Sequence, residues 1–453
     1  MFLKRISFLA ILVLIVLSPG YASAQNIEFI RDAEIENTIR TFAAPLFKQA
    51  GVDPDAVEIH LVKDPQINAF VAEGLNLFIN TGLIMKAQHA GQLIGVIAHE
   101  SGHIAGGHLV KGAGAMENAQ DESLASMVLG MAAALASRRG DVGEAIMMGG
   151  NDIAARSYLA FSRTIEGSAD TAGLTFLDNL HQSGRGFLEF MEMLGEQELL
   201  VTARQDPYVR THPLTRDRIE EIRNHVQHSP WSDVPVPPEY VEPFKRMRAK
   251  LVAFLNPPAT ALFQYKEDDK SIEARYARAI AYYRKPDLDH SIPLIDGLIA
   301  ERPQDPYFHE LKGQMLFENG HPMEAIPEYK LAVKNLPDNA LLREELGQVE
   351  VESEDPAQLP DAKQQLIAST QRDPYSPGAW RLLATAYGRT GDEAMAAASM
   401  AEYALLVGRW SEAIYDAGKA LRGLKRGTPV ALRMEDVRSQ AQQGLEEQKR
   451  RGH

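Results

Sequence analysis

The chain has 453 residues, with 47 lysines and arginines against 61 aspartates and glutamates and a formal charge of −14; 45% of it is hydrophobic and it contains no cysteine. So long a chain exceeds one ordinary core and predicts two or three domains, and its apolar content excludes extended disorder. The acidic balance argues against a nucleic-acid partner, and the missing thiols exclude disulfides, a lipidated cysteine and thiolate metal sites.

Residues 1–24 read as an export signal. Lys4 and Arg5 precede an apolar run from Phe8 to Leu17, Pro19-Gly20 breaks it, and Ala22-Ser23-Ala24 supplies the small residues of a cleavage site before Gln25. The run is well short of the roughly 20 residues that cross a bilayer, so the expectation is a periplasmic chain. Residues 25–228 follow as one α-rich domain with a small sheet. Phe70 to Ala72 and Leu75 to Ile79 read as two strands turned at Glu73-Gly74, whose backbone is suited to pair with an extended substrate. From about Gln88 to Val110, Leu93, Ile94, Val96, Ile97, Ile104 and Leu109 recur at helical spacing.

That helix carries His99-Glu100-Ser101-Gly102-His103. Residues four apart share a helix face, so the two imidazoles can hold one Zn2+ between them, with Glu100 to one side as the base for its water. Two residues compete to be the third ligand. His108 follows His103 by five positions, which on a continuous helix rotates it about 140° away unless Gly106-Gly107 breaks the helix. Glu166 shares a stripe with Arg163 and Asp170 if this segment is helical. Glu166 would then bind the zinc, one ion per chain. Asp170, counted with Glu100 among the catalytic acids, would accept the spare ring proton of a ligand histidine, and Arg163 would neutralise the cluster.

Residues 111–150 are rich in Gly, Ala and Met, and Leu124 to Ala136 is almost wholly apolar but too short to span a membrane. It reads as a buried helix, with a lid or a peripheral membrane contact as the functional alternative. Residues 229–271 form a Pro-rich linker with a bridging helix at about Val241 to Leu255. Residues 272–447 repeat: Pro303 and Pro337 are 34 apart, Gly347 repeats the offset of Gly313, and Trp380, Leu383, Tyr387, Gly391 and Ala396 fit the next unit after about three extra residues near Glu354-Asp355-Pro356. The pattern resembles tetratricopeptide (TPR) helix pairs, four of them to about Trp410, with a degenerate fifth as a cap.

His99 to His103 followed by Glu166-x-x-x-Asp170 resembles the gluzincin peptidases related to HtpX and the CAAX prenyl endopeptidases. Asn68-Ala69-Phe70 and the run from Thr211-His212-Pro213 to Arg218-Ile219 are similar to further signatures of that family. With the export signal and the repeats, nearly all of 25–427 is similar to the periplasmic proteases that assist β-barrel assembly. The resemblance implies an α+β zincin-like metallopeptidase domain, mostly helical with a small sheet, followed by an all-α TPR solenoid. It implies unfolded or misassembled outer-membrane β-barrel proteins as substrates and the barrel-assembly machinery as a partner, and it marks Asn68 and Phe70 on the substrate-binding strand. In the resembled group a histidine placed like His212 can take zinc's fourth position and hold the enzyme latent. An oxyanion donor and a buried structural ring are the other readings of His212, and Arg218 reads as a structural charge partner. The alternative from a different class is a chaperone or scaffold whose repeats bind partners while the metal site stays plugged.

Overall fold

The computed structural model describes residues 28–72, 75–108, 163–195, 208, 212 and 214–451. The export signal, the turn at Glu73-Gly74, the Gly/Ala/Met-rich segment with Leu124 to Ala136, and Thr211 and Pro213 beside His212 lie outside the described residues.

In chain order the first elements are β1 (Phe29–Ile30), α1 (Ala33–Gln49), β2 (Glu58–Val62), β3 (Ala69–Ala72), β4 (Asn76–Asn80), α2 (Thr81–Lys86) and α3 (Ala90–Gly106). Helices α4 (163–179), α5 (Arg185–Gly195), α6 (Arg216–His228), α7 (Pro238–Leu255) and α8 (Pro258–Gln264) follow. The two expected strands pair antiparallel as β3 and β4, with Phe70 opposite Phe78 and Ala69 opposite Ile79. Two strands unforeseen from the sequence extend them into a four-stranded sheet in the order β1-β2-β4-β3, with β2 parallel to β4. Among the described residues β3 is therefore an edge. Asn68 O accepts from Asn80 N, so in the alternating antiparallel ladder the polar backbone groups of 68 and 70 face β4. Those of Ile67, Ala69 and Val71 face away from β4 instead. The apolar inner face (Leu61, Ala69, Val71, Leu77, Ile79) packs on α1 and α3, while Phe29, His60, Phe78 and Phe70 line up in ring contact on the outer face.

The repeats form five helix pairs: α9 (Ile272–Tyr283) with α10 (Leu288–Glu301), α11 (Pro306–Glu318) with α12 (Pro322–Asn335), α13 (Ala340–Glu352) with α14 (Leu359–Arg372), α15 (Pro377–Arg389) with α16 (Glu393–Leu406), and α17 (Trp410–Gly423) with α18 (Pro429–Arg451). The period is written in the caps. Ser271, Asp305 and Asn339 each accept a backbone N–H of the following helix, 34 residues apart. The three extra residues form a 3-10 turn, Pro356–Gln358, before Ser376 caps α15. A side chain at Gly313 would collide with the Tyr329 ring 2.7 Å away, which is why a small residue recurs there.

The bridging helix α7 begins at Pro238, three residues earlier than its apolar pattern, because proline is tolerated in a first turn. It bridges in fact as well as in sequence. Phe244, Met247 and Leu251 belong to the core with the sheet, and Ala249 and Ala253 to the first repeat's core. The start of α1 reaches further, with Ala33 packing among Tyr329, Leu342 and Leu346. Around it Lys250 Nζ lies 2.8 Å from Asp32 Oδ2 and 3.5 Å from Glu34 Oε2, Arg246 reaches Glu34 at 2.8 Å, and the Tyr276 hydroxyl donates to Glu34. No helix among the described residues is long and apolar enough to cross a membrane.

Candidate active site

Helix α3 is the centre of the first core, with nearly every residue from Ala90 to His103 buried. A helix enclosed on all sides can approach its neighbours closely only through small residues. A Cβ on Gly102 would meet Ala169 O at 2.5 Å, and one on Gly173 would meet the backbone of Ala98 and His99 within 3 Å. These two glycines seat α4 against the catalytic turn of α3. The seat puts Glu166 and Asp170, both 4% exposed, beside the histidines. Helix α3 ends at Gly107, whose φ of +59° is the left-handed cap a glycine supplies without penalty.

One ligand atom from each of His99, His103, Glu166 and His212 lies within 4.8 Å of the others. His99 Nε2 is 3.1 Å from His103 Nε2 and 3.3 Å from Glu166 Oε2. His103 Nε2 is 3.5 Å from Glu166 Oε1, and His212 Nδ1 is 3.1 Å from Glu166 Oε2 and 3.3 Å from His99 Nε2. Four buried donors converging in this way could hold a single metal ion.

The nitrogens that point away from this centre are fixed by neighbours. His99 Nδ1 is 2.8 Å from Asp170 Oδ1, and Arg218 donates from Nε at 2.7 Å and from Nη2 at 2.9 Å to the same carboxylate. Arg218 Nη1 also reaches Glu166 Oε2 at 3.2 Å. His212 Nε2 lies 3.2 Å from Ala69 O, so a proton there leaves the Nδ1 lone pair aimed at the centre. His103 Nδ1 faces His108 Nδ1 at 3.1 Å. The helix does break at Gly107, yet the break brings the His108 ring behind His103 and not onto the metal face.

Glu100 is fully buried and neither carboxylate oxygen has a well-formed hydrogen bond, His212 Nε2 standing 3.5 Å from Oε1. Burial pushes its carboxyl up, as suits a group that must take a proton and release it. Burial also works to raise Glu166 and Asp170, but the His212 and His99 charges hold Glu166 well below the usual carboxylate range, and Arg218 and His99 do the same for Asp170. In the metal-free chain burial pulls His103 down to about 2, with His99 adding to it, whereas Asp170 and Glu166 overcome burial to hold His99 at about 10.

All the candidates singled out from the sequence, His99, Glu100, His103, Glu166, Asp170 and His212, meet in this one site, beside the strand that carries Asn68 and Phe70. Arg163 does not join them: it is exposed, and Arg218 neutralises the acids from α6. Tyr208 was missed. It is buried, its N–H donates to Ile67 O, and its ring stacks on His212 with centroids 4.6 Å apart. The signal for it was one aromatic residue four positions before His212, too slight to separate from core packing.

Comparison with known proteins agrees with this geometry. Residues 30–226 match the model of peptidase family M48, and residues 276–340 match that of a tetratricopeptide repeat. The beta-barrel assembly-enhancing protease of Yersinia pestis is 25% identical over 399 residues, covering 85% of this chain and 79% of the relative. The protein of the same name from Escherichia coli (strain K12) is 23% identical, covering 88% and 81%. The mitochondrial metalloendopeptidase OMA1 of Schizosaccharomyces pombe is 26% identical over 165 residues, which cover 36% of this chain and 45% of OMA1. With two histidines, a glutamate from a second helix and a buried acid at its centre, the chain is a metalloendopeptidase whose residues 30–226 match peptidase family M48 and continue into tetratricopeptide repeats.

Proposed function

We propose that this chain is a zinc endopeptidase of the periplasm, exported by residues 1–24, that degrades misfolded or stalled outer-membrane β-barrel proteins and is held latent by His212. The observation that carries the proposal is the convergence of His99, His103 and Glu166 beside an unsatisfied buried Glu100. Nitrogen and carboxylate donors in this number suit zinc, and no thiolate competes. Bound there, zinc would polarise a scissile carbonyl and acidify the attacking water. Glu100 receives that water's proton and passes it to the leaving amine. Asp170, backed by Arg218, keeps the His99 lone pair directed inward. An extended chain that displaces the neighbours of Ala69 would pair with the backbone groups of Ala69 and Val71 that face away from β4, which favours unpaired β segments such as those of an unassembled barrel.

The latch reading rests on His212 Nδ1 standing at the fourth corner of the donor group, the position that a catalytic site keeps open for substrate. The same observation favours a second reading, in which the protein is chiefly a scaffold that engages barrel intermediates and the assembly machinery through its repeats. Both are tested on the full zinc-loaded chain, with an unfolded outer-membrane barrel protein as substrate. Glu100→Gln should keep its zinc and lose cleavage, and His212→Ala should keep zinc and cleave faster than the parent. Equal cleavage by the parent and Glu100→Gln would remove the peptidase reading. Restored barrel assembly in cells by Glu100→Gln would favour the scaffold. N-terminal sequencing of the periplasmic fraction should begin at Gln25.

A further inference from the structure

The structure assigns Tyr208 as the positioning residue that ties His212 to the side of β3 facing away from β4, so that the strand to be cut is also what frees the site. This inference rests on the latch reading of His212 and names what releases it.

Tyr208 and His212 form one unit. The His212 N–H donates to Tyr208 O at 2.8 Å, and the two rings stack at 4.6 Å and 28°. Tyr208 is 1% exposed and is braced edge-on by Phe190 at 5.4 Å. The unit is fixed to β3 at two points: the Tyr208 N–H donates to Ile67 O at 3.1 Å, and His212 Nε2 lies 3.2 Å from Ala69 O. Ile67 and Ala69 are two residues apart, and their carbonyls belong to the set that faces away from β4. That is the spacing an incoming strand uses when it adds to an edge.

A substrate strand and the Tyr208–His212 unit therefore compete for the same two acceptors and cannot occupy that edge together. When the strand takes Ala69 O, His212 loses the nearer of the two acceptors that face Nε2, Glu100 Oε1 standing farther off at 3.5 Å, and with it the bond that best holds the Nδ1 lone pair toward the donor group. When it takes Ile67 O, Tyr208 loses its backbone bond to that strand, which loosens the surface on which the His212 ring rests. Hydrogen bonds broken are replaced by hydrogen bonds made, so the exchange is nearly balanced and is tipped by a segment able to pair over more residues. A compact loop or a helix cannot make that exchange. Substrate selection and activation thus become a single event at β3.

The test uses the full chain loaded with Co2+, whose visible spectrum reports the occupant of the fourth position independently of activity. His212→Ala supplies the spectrum of the released site. Tyr208→Leu should show that released spectrum without any peptide and raise basal peptide cleavage about tenfold, whereas Tyr208→Phe, which keeps the stack, should match the parent. An extended Val/Thr-rich peptide should convert the parent's spectrum to the released form, and its alternately N-methylated version, unable to pair, should not. A parental spectrum in Tyr208→Leu overturns the inference. If Tyr208→Leu fails to bind cobalt, the peptide arm decides, and no shift with the pairing peptide overturns it equally. If His212→Ala itself leaves the spectrum unchanged, the latch reading has failed, which distinguishes that failure from the loss of Tyr208's role alone.

Discussion

His108 Nδ1 stands 3.1 Å behind His103 Nδ1, on the side of the ring away from the metal donors. When His103 Nδ1 carries the proton and His108 Nδ1 accepts it, the His103 Nε2 lone pair is left for the centre. Second-sphere partners of this kind are worth about 10–100-fold in metal affinity. His108→Ala should weaken metal binding by that factor without removing it, as measured by competition with a chelator. An unchanged affinity would return His108 to a purely structural role.

Gly102→Ala is expected to damage the site without touching a ligand. The new methyl would meet Ala169 O at 2.5 Å, and two buried helices cannot part without moving Glu166 and Asp170. Overpacking of this sort costs about 1–3 kcal/mol. The variant should melt earlier and lose metal before it unfolds, seen as metal release preceding the change in circular dichroism.

Lys250→Met tests the junction of the peptidase and the repeats. Lys250 is buried between Asp32, Glu34 and, at 3.7 Å, Glu310. Removing the cation strands these acids away from water, at a cost of about 3–5 kcal/mol. Urea denaturation followed by tryptophan fluorescence should show a lower midpoint for both parts, since Trp231 reports on one side and Trp380 and Trp410 on the other. A shift confined to one part would contradict the interlock.

Glu350 sets a pH dependence. It is fully buried in α13 with Lys330 Nζ at 3.3 Å, and burial first, then the hydrogen bond with Asp361, push its carboxyl from 4.5 up to about 8. Between those values the folded chain holds a proton that the unfolded chain has lost. This contribution to stability is therefore complete below about pH 4.5, declines as pH rises, and is gone above about pH 8. Glu350→Gln should melt near the parent at about pH 5 and above it at about pH 9. A constant difference across that range would rule out titration of Glu350 as the cause.

The parts of the site read from the sequence are those governed by local geometry. His99 with His103, and Glu166 with Asp170, each keep a helical spacing, so their shared faces were legible before any fold was known. Arg218 and Tyr208 arrive at the site from distant segments, so Arg218 could be read as a charge partner but not with which carboxylate, and nothing local marked Tyr208 at all. β1 has two residues, too few for an alternation to stand out, and β2, as long as β4, joins the sheet through a parallel crossover that no turn residue marks. The repeats were legible because their caps and small residues recur at a fixed interval. The burial of Ala33 among them left no periodic trace.

The first turn of α1 carries a practical consequence for anyone dissecting this enzyme. A chain cut after α7 would bare Ala33, deprive Glu34 of the Tyr276 hydroxyl and leave Arg31 without Asp373, 3.0 Å away in the third repeat. Inactivity of such a fragment would report a dismantled catalytic body, not a lost recruitment arm, and point substitutions on the outer surface of the solenoid are the sounder way to ask what the repeats recognise.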